Sequence, residues 1–152
     1  MTAARYRAIA LVHPDFDVSA GTAGLRLSPD GRLATVSADA SVRQAVLLLL
    51  STRPGERVNR PDYGCHLFRL VFAPGDDTTA GLAIHYVASA LRRWERRIDV
   101  LSLDATCAAD DPALLEVRLR YRVRATQNDD EVAVAVPLAG PSGSTTTRRS
   151  PE

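Results

Sequence analysis

The spacing of apolar residues changes along the chain, and each change marks a different kind of element. In ADASVRQAVLLLLSTRPG, residues 38–55, Asp39 or Ser41 supplies an N-cap, a strongly apolar run follows, and Pro54-Gly55 stops it. This predicts a mostly buried helix over about 40–52. A second, longer helix is expected from a cap at Asp77, Thr78 or Thr79, because Ile84, Val87, Ala88, Leu91 and Trp94 recur at three- and four-residue spacing and put one face on a core. After Ile98 the period falls to two. Leu101, Leu103, Ala105 and Cys107 line one face of a strand, and Asp110-Asp111-Pro112 turns the chain. In ALLEVRLRYRVRA, Leu115, Val117, Leu119, Tyr121 and Val123 alternate with Glu116, Arg118, Arg120, Arg122 and Arg124, the pattern of a half-buried antiparallel strand. A polar link over 126–130 leads to Val132, Val134 and Val136, which alternate with Ala133 and Ala135 until Pro137 ends the run.

The intervening segments are punctuated by turns. From Met1 to about Ser37, short apolar runs mix with turn signals, and Leu25–Leu27 with Leu33–Val36 predict a small hairpin about Ser28-Pro29-Asp30-Gly31. Gly55–Val58 is expected as a short strand before Asn59-Arg60-Pro61, where proline bars a regular helix. Tyr63–Phe72 reads as a short helix or turn carrying Leu67, Phe68, Leu70, Val71 and Phe72. Residues 140–152 are too polar to order themselves by burial, and a disordered tail is expected there. No internal repeat is visible. The sum is an α+β fold, with two main helices packed on one face of a small antiparallel sheet in a single domain over 1–139.

Composition removes several function classes. The chain has 152 residues, 45% of them hydrophobic, enough for one domain with a real core. Basic and acidic residues nearly cancel at +1, so no global field draws in nucleic acid or an anionic membrane. The basic residues are all arginine, which leaves no lysine for Schiff-base or phosphate-loop chemistry. Aromatics, at 5%, are too few for stacking platforms. The longest apolar run, Ala45–Leu50, is far short of a membrane span, and the opening residues lack a secretory signal, so a soluble chain made in the cytoplasm is expected. Cys65 and Cys107 form no CxxC pair and read as buried thiols. His13, His66 and His85 are not spaced as a metal site, so no metal and no cofactor are expected.

Five groups of residues remain as candidates. In Arg53-Pro54-Gly55-Glu56-Arg57 the proline and glycine turn the chain out of the first helix, and Glu56 lies between two guanidinium forks as an internal ion pair or a docking turn. Pro61 and Gly64, in Arg60-Pro61-Asp62-Tyr63-Gly64, read first as fold determinants. Trp94-Glu95-Arg96-Arg97 sits at a helix-to-strand corner and combines residue types enriched at interface hot spots, although Trp94 also continues the apolar face and Glu95 with Arg97 also makes a local bridge. Val132, Val134 and Val136 form a strand without internal charge; at a sheet edge it would recruit another strand, unless the segment around Ile9–Val12 covers it. The row Arg118, Arg120, Arg122, Arg124 reads as a solvated face, then as a match for an acidic protein patch, and last as a nucleic-acid contact.

The stretch SVRQAVLLLLSTRPGERVNRPDYGCHLFRLVF, followed by a helix ending in RRWERRIDV, resembles the lysozyme-like baseplate wedge family of contractile phage tails, type VI secretion and phage-tail-like injection particles. The likeness covers about residues 41–125. It is most specific at Thr52–Arg57, Arg60–Cys65, Phe72, and Trp94-Glu95 with Arg97. Family members commonly carry Glu-Pro-Arg where this chain has Glu95-Arg96-Arg97. The resemblance implies a structural subunit that bridges the wedge's helical core bundle, through Trp94, Glu95, Arg96 and Arg97, to the first sheath ring. It also implies a sheet similar to the sheath's strand-exchange domain, acting as a template for sheath assembly. The implied partners are the sheath protein, larger wedge proteins and tube-proximal or spike-hub proteins, in a six-fold hetero-oligomer without nucleic acid or membrane span. Assembly in the cytoplasm into a particle that can be released is implied as well. The family's historical name raises a second function, peptidoglycan cleavage. That chemistry needs a carboxylic acid with a raised pKa across a cleft from a second carboxylate, and the candidates Glu56 and Glu95 are both flanked by arginine, which favours the ionised form. No enzymatic activity is therefore expected.

Overall fold

A computed structural model describes residues 6–13 and 22–139; the tail expected over 140–152 lies outside the described residues. Four short strands come first: β1 (Arg7–Ile9), β2 (Leu11–Val12), β3 (Gly24–Leu25) and β4 (Thr35–Ser37). Helix α1 (Ala38–Ser51), a 3-10 turn (His66–Leu70) and helix α2 (Asp77–Trp94) follow, and the chain ends in β5 (Ile98–Ala108), β6 (Asp111–Val123) and β7 (Asp129–Pro137). The last three strands form an antiparallel meander in the order β5-β6-β7.

Alternation along β6 decides the layering. Leu115, Val117, Leu119, Tyr121 and Val123 are buried, joined by Val132, Val134 and Val136 of β7 and by core residues of both helices. Each such side chain taken fully out of water contributes about 1.5–3 kcal/mol. On the other face the arginine row is answered by acids. Arg118 pairs with Glu116 at 2.9 Å, Arg122 with Asp129 at 2.6 Å and Arg124 with Asp99 at 2.6 Å. That face is a solvated, charge-balanced surface.

Several expectations need correction. Ser37, and neither Asp39 nor Ser41, occupies the N-cap position of α1, and its side chain makes no capping hydrogen bond. The Asp39 carboxylate instead accepts from Thr126 Oγ1 at 2.6 Å and Asn128 Nδ2 at 2.7 Å, so it fastens the helix start to the β6–β7 turn. Asp76 caps α2, its side chain accepting from the Thr79 N–H at 2.8 Å, and this bond holds its carboxyl below the usual range. The core stripe of α2 is Ala83, Val87, Ala90 and Leu91, which leaves Ile84, Ala88 and Trp94 on its half-buried flank. Residues 55–58 make turns in place of a strand. The β5–β6 turn falls on 109–110, because Asp111 and Pro112 already belong to β6.

Leu101 does not share the face of Leu103, since the register slips between Val100 and Ser102. Leu101 is thus the extra residue of a β-bulge and is turned outward. The small N-terminal hairpin is present about Ser28–Gly31, closed by Ser28 N–H donating to Arg32 O at 2.8 Å and Ala34 N–H to Arg26 O at 2.9 Å on either side of the Leu27–Leu33 bridge, and its arms also pair with the first strands: β3 with β2, and β4 with β1. Gln44 of α1 clamps this segment, with its Oε1 accepting from Leu11 N at 3.0 Å and its Nε2 donating to Ile9 O at 2.8 Å.

A polar node ties α1 to the sheet. Tyr121, fully buried, donates its hydroxyl to Asp130 Oδ2 at 2.8 Å, while Arg43 Nη1 donates to Asp130 Oδ1 at 2.7 Å and to the Glu131 carbonyl at 2.7 Å. Burial, then the Asp130 charge, pushes the Tyr121 phenol well above its ordinary value. Tyr121→Phe should lower the unfolding free energy by about 1–2 kcal/mol in urea titration with an unchanged slope; an unchanged midpoint would show that this bond contributes nothing.

Candidate functional site

Two of the sequence motifs, about thirty residues apart, meet at one corner of the molecule. The first is the loop between α1 and the 3-10 turn. Its neck is closed by Cys65 N–H donating to Thr52 O at 2.9 Å, and Gly55 N–H reaches across to Pro61 O at 2.7 Å. Gly55 has φ +97 and Gly64 φ +137. A Cβ on Gly64 would lie 2.4 Å from the Thr52 carbonyl, so only glycine lets these two strands of the loop touch. Within the turn, Arg53 N–H donates to Glu56 Oε2 at 2.9 Å, with the Arg53 guanidinium farther off at 4.0 Å. Glu56 therefore serves the turn's own geometry while remaining exposed. Pro54 is half-buried, and Arg53, Arg57 and Pro61 are exposed.

The second motif is the exit of α2. The Glu95 side chain is only 5% exposed, and both of its oxygens are engaged by Arg97: Nε donates to Oε1 at 2.7 Å and Nη2 to Oε2 at 2.5 Å. Arg97 N–H adds a bond to Oε1 at 3.2 Å. This fork-to-fork pair raises the Arg97 pKa further, chiefly through the hydrogen bonds that Arg97 donates to Glu95. The Arg97 carbonyl accepts from Arg124 N at 2.9 Å, so the same residue locks the corner to the end of β6. Its guanidinium also lies 5.1 Å from the Tyr6 ring.

Tyr63 and Trp94 join the motifs. Their rings pack edge to face at 5.3 Å; Arg57 lies over Tyr63 at 4.1 Å, and Arg93 lies over Trp94 at 5.0 Å. Arg93 also reaches Asp62 at 3.2 Å. Partial burial pushes the Tyr63 phenol up, against the pull of Arg57. The result is a layered stack of guanidinium, ring, ring and guanidinium across the corner. Arg57, Arg60, Arg93 and Arg96 remain exposed around it. Glu95 is thus a positioning residue and no exposed contact, Arg97 is partly covered, and Trp94 is half-buried in the stack. Both candidate glutamates are engaged within the chain, the two oxygens of Glu95 by Arg97 and Oε2 of Glu56 by the Arg53 amide. Among the described residues no cluster of three or more His, Cys, Asp or Glu could hold a metal ion, and no helix is long and apolar enough to cross a membrane.

The third candidate is β7, which does lie at a sheet edge. The side chains of Val132, Val134 and Val136 face the core, so they cannot be the contact themselves. The backbone phase shows which residues are. Leu138 N–H donates to Ala113 O and Val123 N–H to Asn128 O, which aims the even-numbered residues of β7 at β6 and the odd-numbered ones outward. Of the outward set, Glu131 is already used, its carbonyl by Arg43 and its amide by Asp130 Oδ1 at 2.8 Å, and Pro137 has no N–H. Among the described residues no strand pairs with Ala133 and Ala135 on this side, which leaves them as two complete rungs. The segment around Ile9–Val12 pairs with β3 and β4 and not with this edge. Sequence alone identifies the strand and its alternation, but the outward rungs depend on pairing phase, which no side chain encodes.

Comparison with known proteins gives four concordant likenesses. The family profile described as "Baseplate wedge protein gp25" matches residues 36–128. The baseplate wedge protein gp25 of Enterobacteria phage T4 is 32% identical over 92 residues, 60% of this chain and 67% of that protein. A solved structure from Geobacter sulfurreducens, described as a tail lysozyme, is 34% identical with a TM-score of 0.63, covering 71% of this chain and 96% of the other. A chain of the six-fold symmetrised baseplate of the anti-feeding prophage shares the fold at a TM-score of 0.62 and 21% identity, over 66% of this chain and 80% of that one. The family match stops at the β6–β7 turn.

Glu95→Gln should lower stability by about 2 kcal/mol, between the values for exposed and buried pairs because Arg97 keeps partial access to water. Thermal melts of Glu95→Gln, Arg97→Gln and the double variant should show a coupling energy above about 1 kcal/mol; additive losses would mean that the two charges do not act as a pair.

Proposed function

Given that the chain belongs to the baseplate wedge protein gp25 family, we propose that it is a structural wedge subunit of a contractile tail, linking the wedge core to the first sheath ring and templating sheath assembly. Residues 1–139 act as one unit, assembled in the cytoplasm with larger wedge proteins, the sheath and the proteins near the tube or hub into a six-fold particle. The observation that carries this reading is the open edge of β7, where Ala133 and Ala135 turn their backbone groups away from β6.

The two edges of the sheet are built differently. At β5 the ladder is broken by the bulge at Leu101, and the strand carries Asp99 and Asp104, features that blunt an edge against pairing. Nothing comparable lies between Glu131 and Pro137, where the outward residues are small and uncharged. A strand of the sheath protein can add there through backbone hydrogen bonds. The family match ends at residue 128, so this part of the reading rests on the chain's own strand.

The aromatic and arginine corner is the second contact. Trp94 and the exposed Arg57, Arg93 and Arg96 face the wedge core bundle, while Glu95 and Arg97 hold the corner in shape from within. This basic surface with ring edges between its charges complements an acidic helical surface. The Arg53–Arg57 turn, fastened to the Pro61–Gly64 side of its loop, shapes the docking surface beside it. A lysozyme-like activity, which one related structure's description raises, is not supported by the engaged carboxylates of Glu56 and Glu95.

Ala135→Pro removes one outward N–H and leaves the β6–β7 ladder intact. The variant should fold with a melting temperature within a few degrees of the parent yet fail to support sheath assembly on purified baseplates. Normal sheath growth on a folded Ala135→Pro baseplate would refute strand addition at β7.

A further inference from the structure

Phe72 is placed against its own chemistry twice. Its side chain is 79% exposed, and its backbone has φ +72, a region where a bulky residue is an outlier. The core cluster and the apolar side chains packed on it do not include this ring. The position imposes the conformation. Phe72 N–H donates to Leu138 O at 2.6 Å, just past the end of β7, and three residues later Gly75 presses so closely on β6 that a Cβ would lie 2.4 Å from the Pro112 carbonyl. The segment between them therefore crosses the end of the sheet from β7 towards the β5–β6 hairpin. Phe72 stands at the β7 corner of that crossing, beside Leu138 at the end of the strand that carries Ala133 and Ala135.

We infer that Phe72 is an aromatic anchor for the strand that adds to β7, taking an apolar side chain of the incoming segment beyond the two alanine rungs. This rests on the strand-addition reading above. A fold that holds a large ring in water through a strained backbone has placed it for a partner, and exposed aromatics of this kind are typical interface anchors. At about 3.3 Å per residue, the distance from Ala135 to Leu138 spans about 10 Å along the edge. The incoming residue that meets the ring lies about three positions past the one paired with Ala135. The partner segment is thus extended, with small or polar residues along the rungs and an apolar residue at that position.

Full-length Phe72→Gly and Phe72→Leu chains test this in titrations with the purified sheath subunit of the same tail, alongside thermal melts. Glycine is at ease at positive φ. If the ring serves only the partner, Phe72→Gly keeps or raises the melting temperature while weakening sheath binding at least about tenfold, and Phe72→Leu restores most of the affinity. Unchanged affinity in Phe72→Gly would overturn the inference, and so would a fall in melting temperature, which would assign the ring to packing within this chain. Ala135→Pro, measured in parallel, separates the two readings. Binding lost there but kept in Phe72→Gly removes the anchor and leaves strand addition standing; binding kept in both removes both.

Discussion

The Glu95–Arg97 pair sits where the chain changes from helical to extended spacing, and the relation between α2 and the sheet turns on it. A carboxylate carried into the interior needs both oxygens answered, and Arg97 answers them with its fork. That fixes the direction in which the chain leaves α2. The same arginine's carbonyl receives Arg124 N–H, so the start of β5 and the end of β6 are set from one residue. Trp94, one position earlier, is thereby held against Tyr63, and the loop of residues 52–65 is held against the helix exit. Arg96, between Glu95 and Arg97, is exposed and takes no part in this pair.

From that corner the sheet extends with one face fully committed. Tyr121, Leu119 and the valines of β7 are buried beneath the helices, while the arginines opposite are balanced by neighbouring acids. One face is core and the other carries paired charges. What is left is backbone at one edge and the basic, aromatic rim of the corner. Both suit a protein that works by joining other proteins. Arg43 and Asp130 close the open edge at one end and Pro137 at the other, so the exposed ladder is short. A short, bounded edge can accept one specific strand without offering a long template for aggregation.

Much of this was legible before any coordinates. Alternation in β6 and β7 and the apolar density of α1 gave the layered α+β arrangement, because burial on one face leaves a period that can be read directly. The errors fall where tertiary contacts override local signals. Asp39 looks like a cap, yet its carboxylate is claimed by Thr126 and Asn128 from far along the chain. Leu101 fits the alternation, but a bulge shifts its parity. A Glu95–Arg97 bridge is legible from their spacing, but not its burial, which depends on how the helix exit packs on the sheet. The valines of β7 mark an edge strand, but their own amides face β6, and the outward amides belong to the alanines between them. Phe72 was counted with apolar residues, and its exposure follows only from the path across the sheet end.

The central claim is that β7 supplies two outward backbone rungs to another chain, and hydrogen exchange at single amides reads it most directly. In the free protein, the amides of Ala133 and Ala135 should exchange fast, while those of Val132 and Val134, bonded into the β6 ladder, are protected. On binding the sheath subunit, Ala133 and Ala135 should become protected together. Fast exchange at both alanines in the saturated complex would contradict the account.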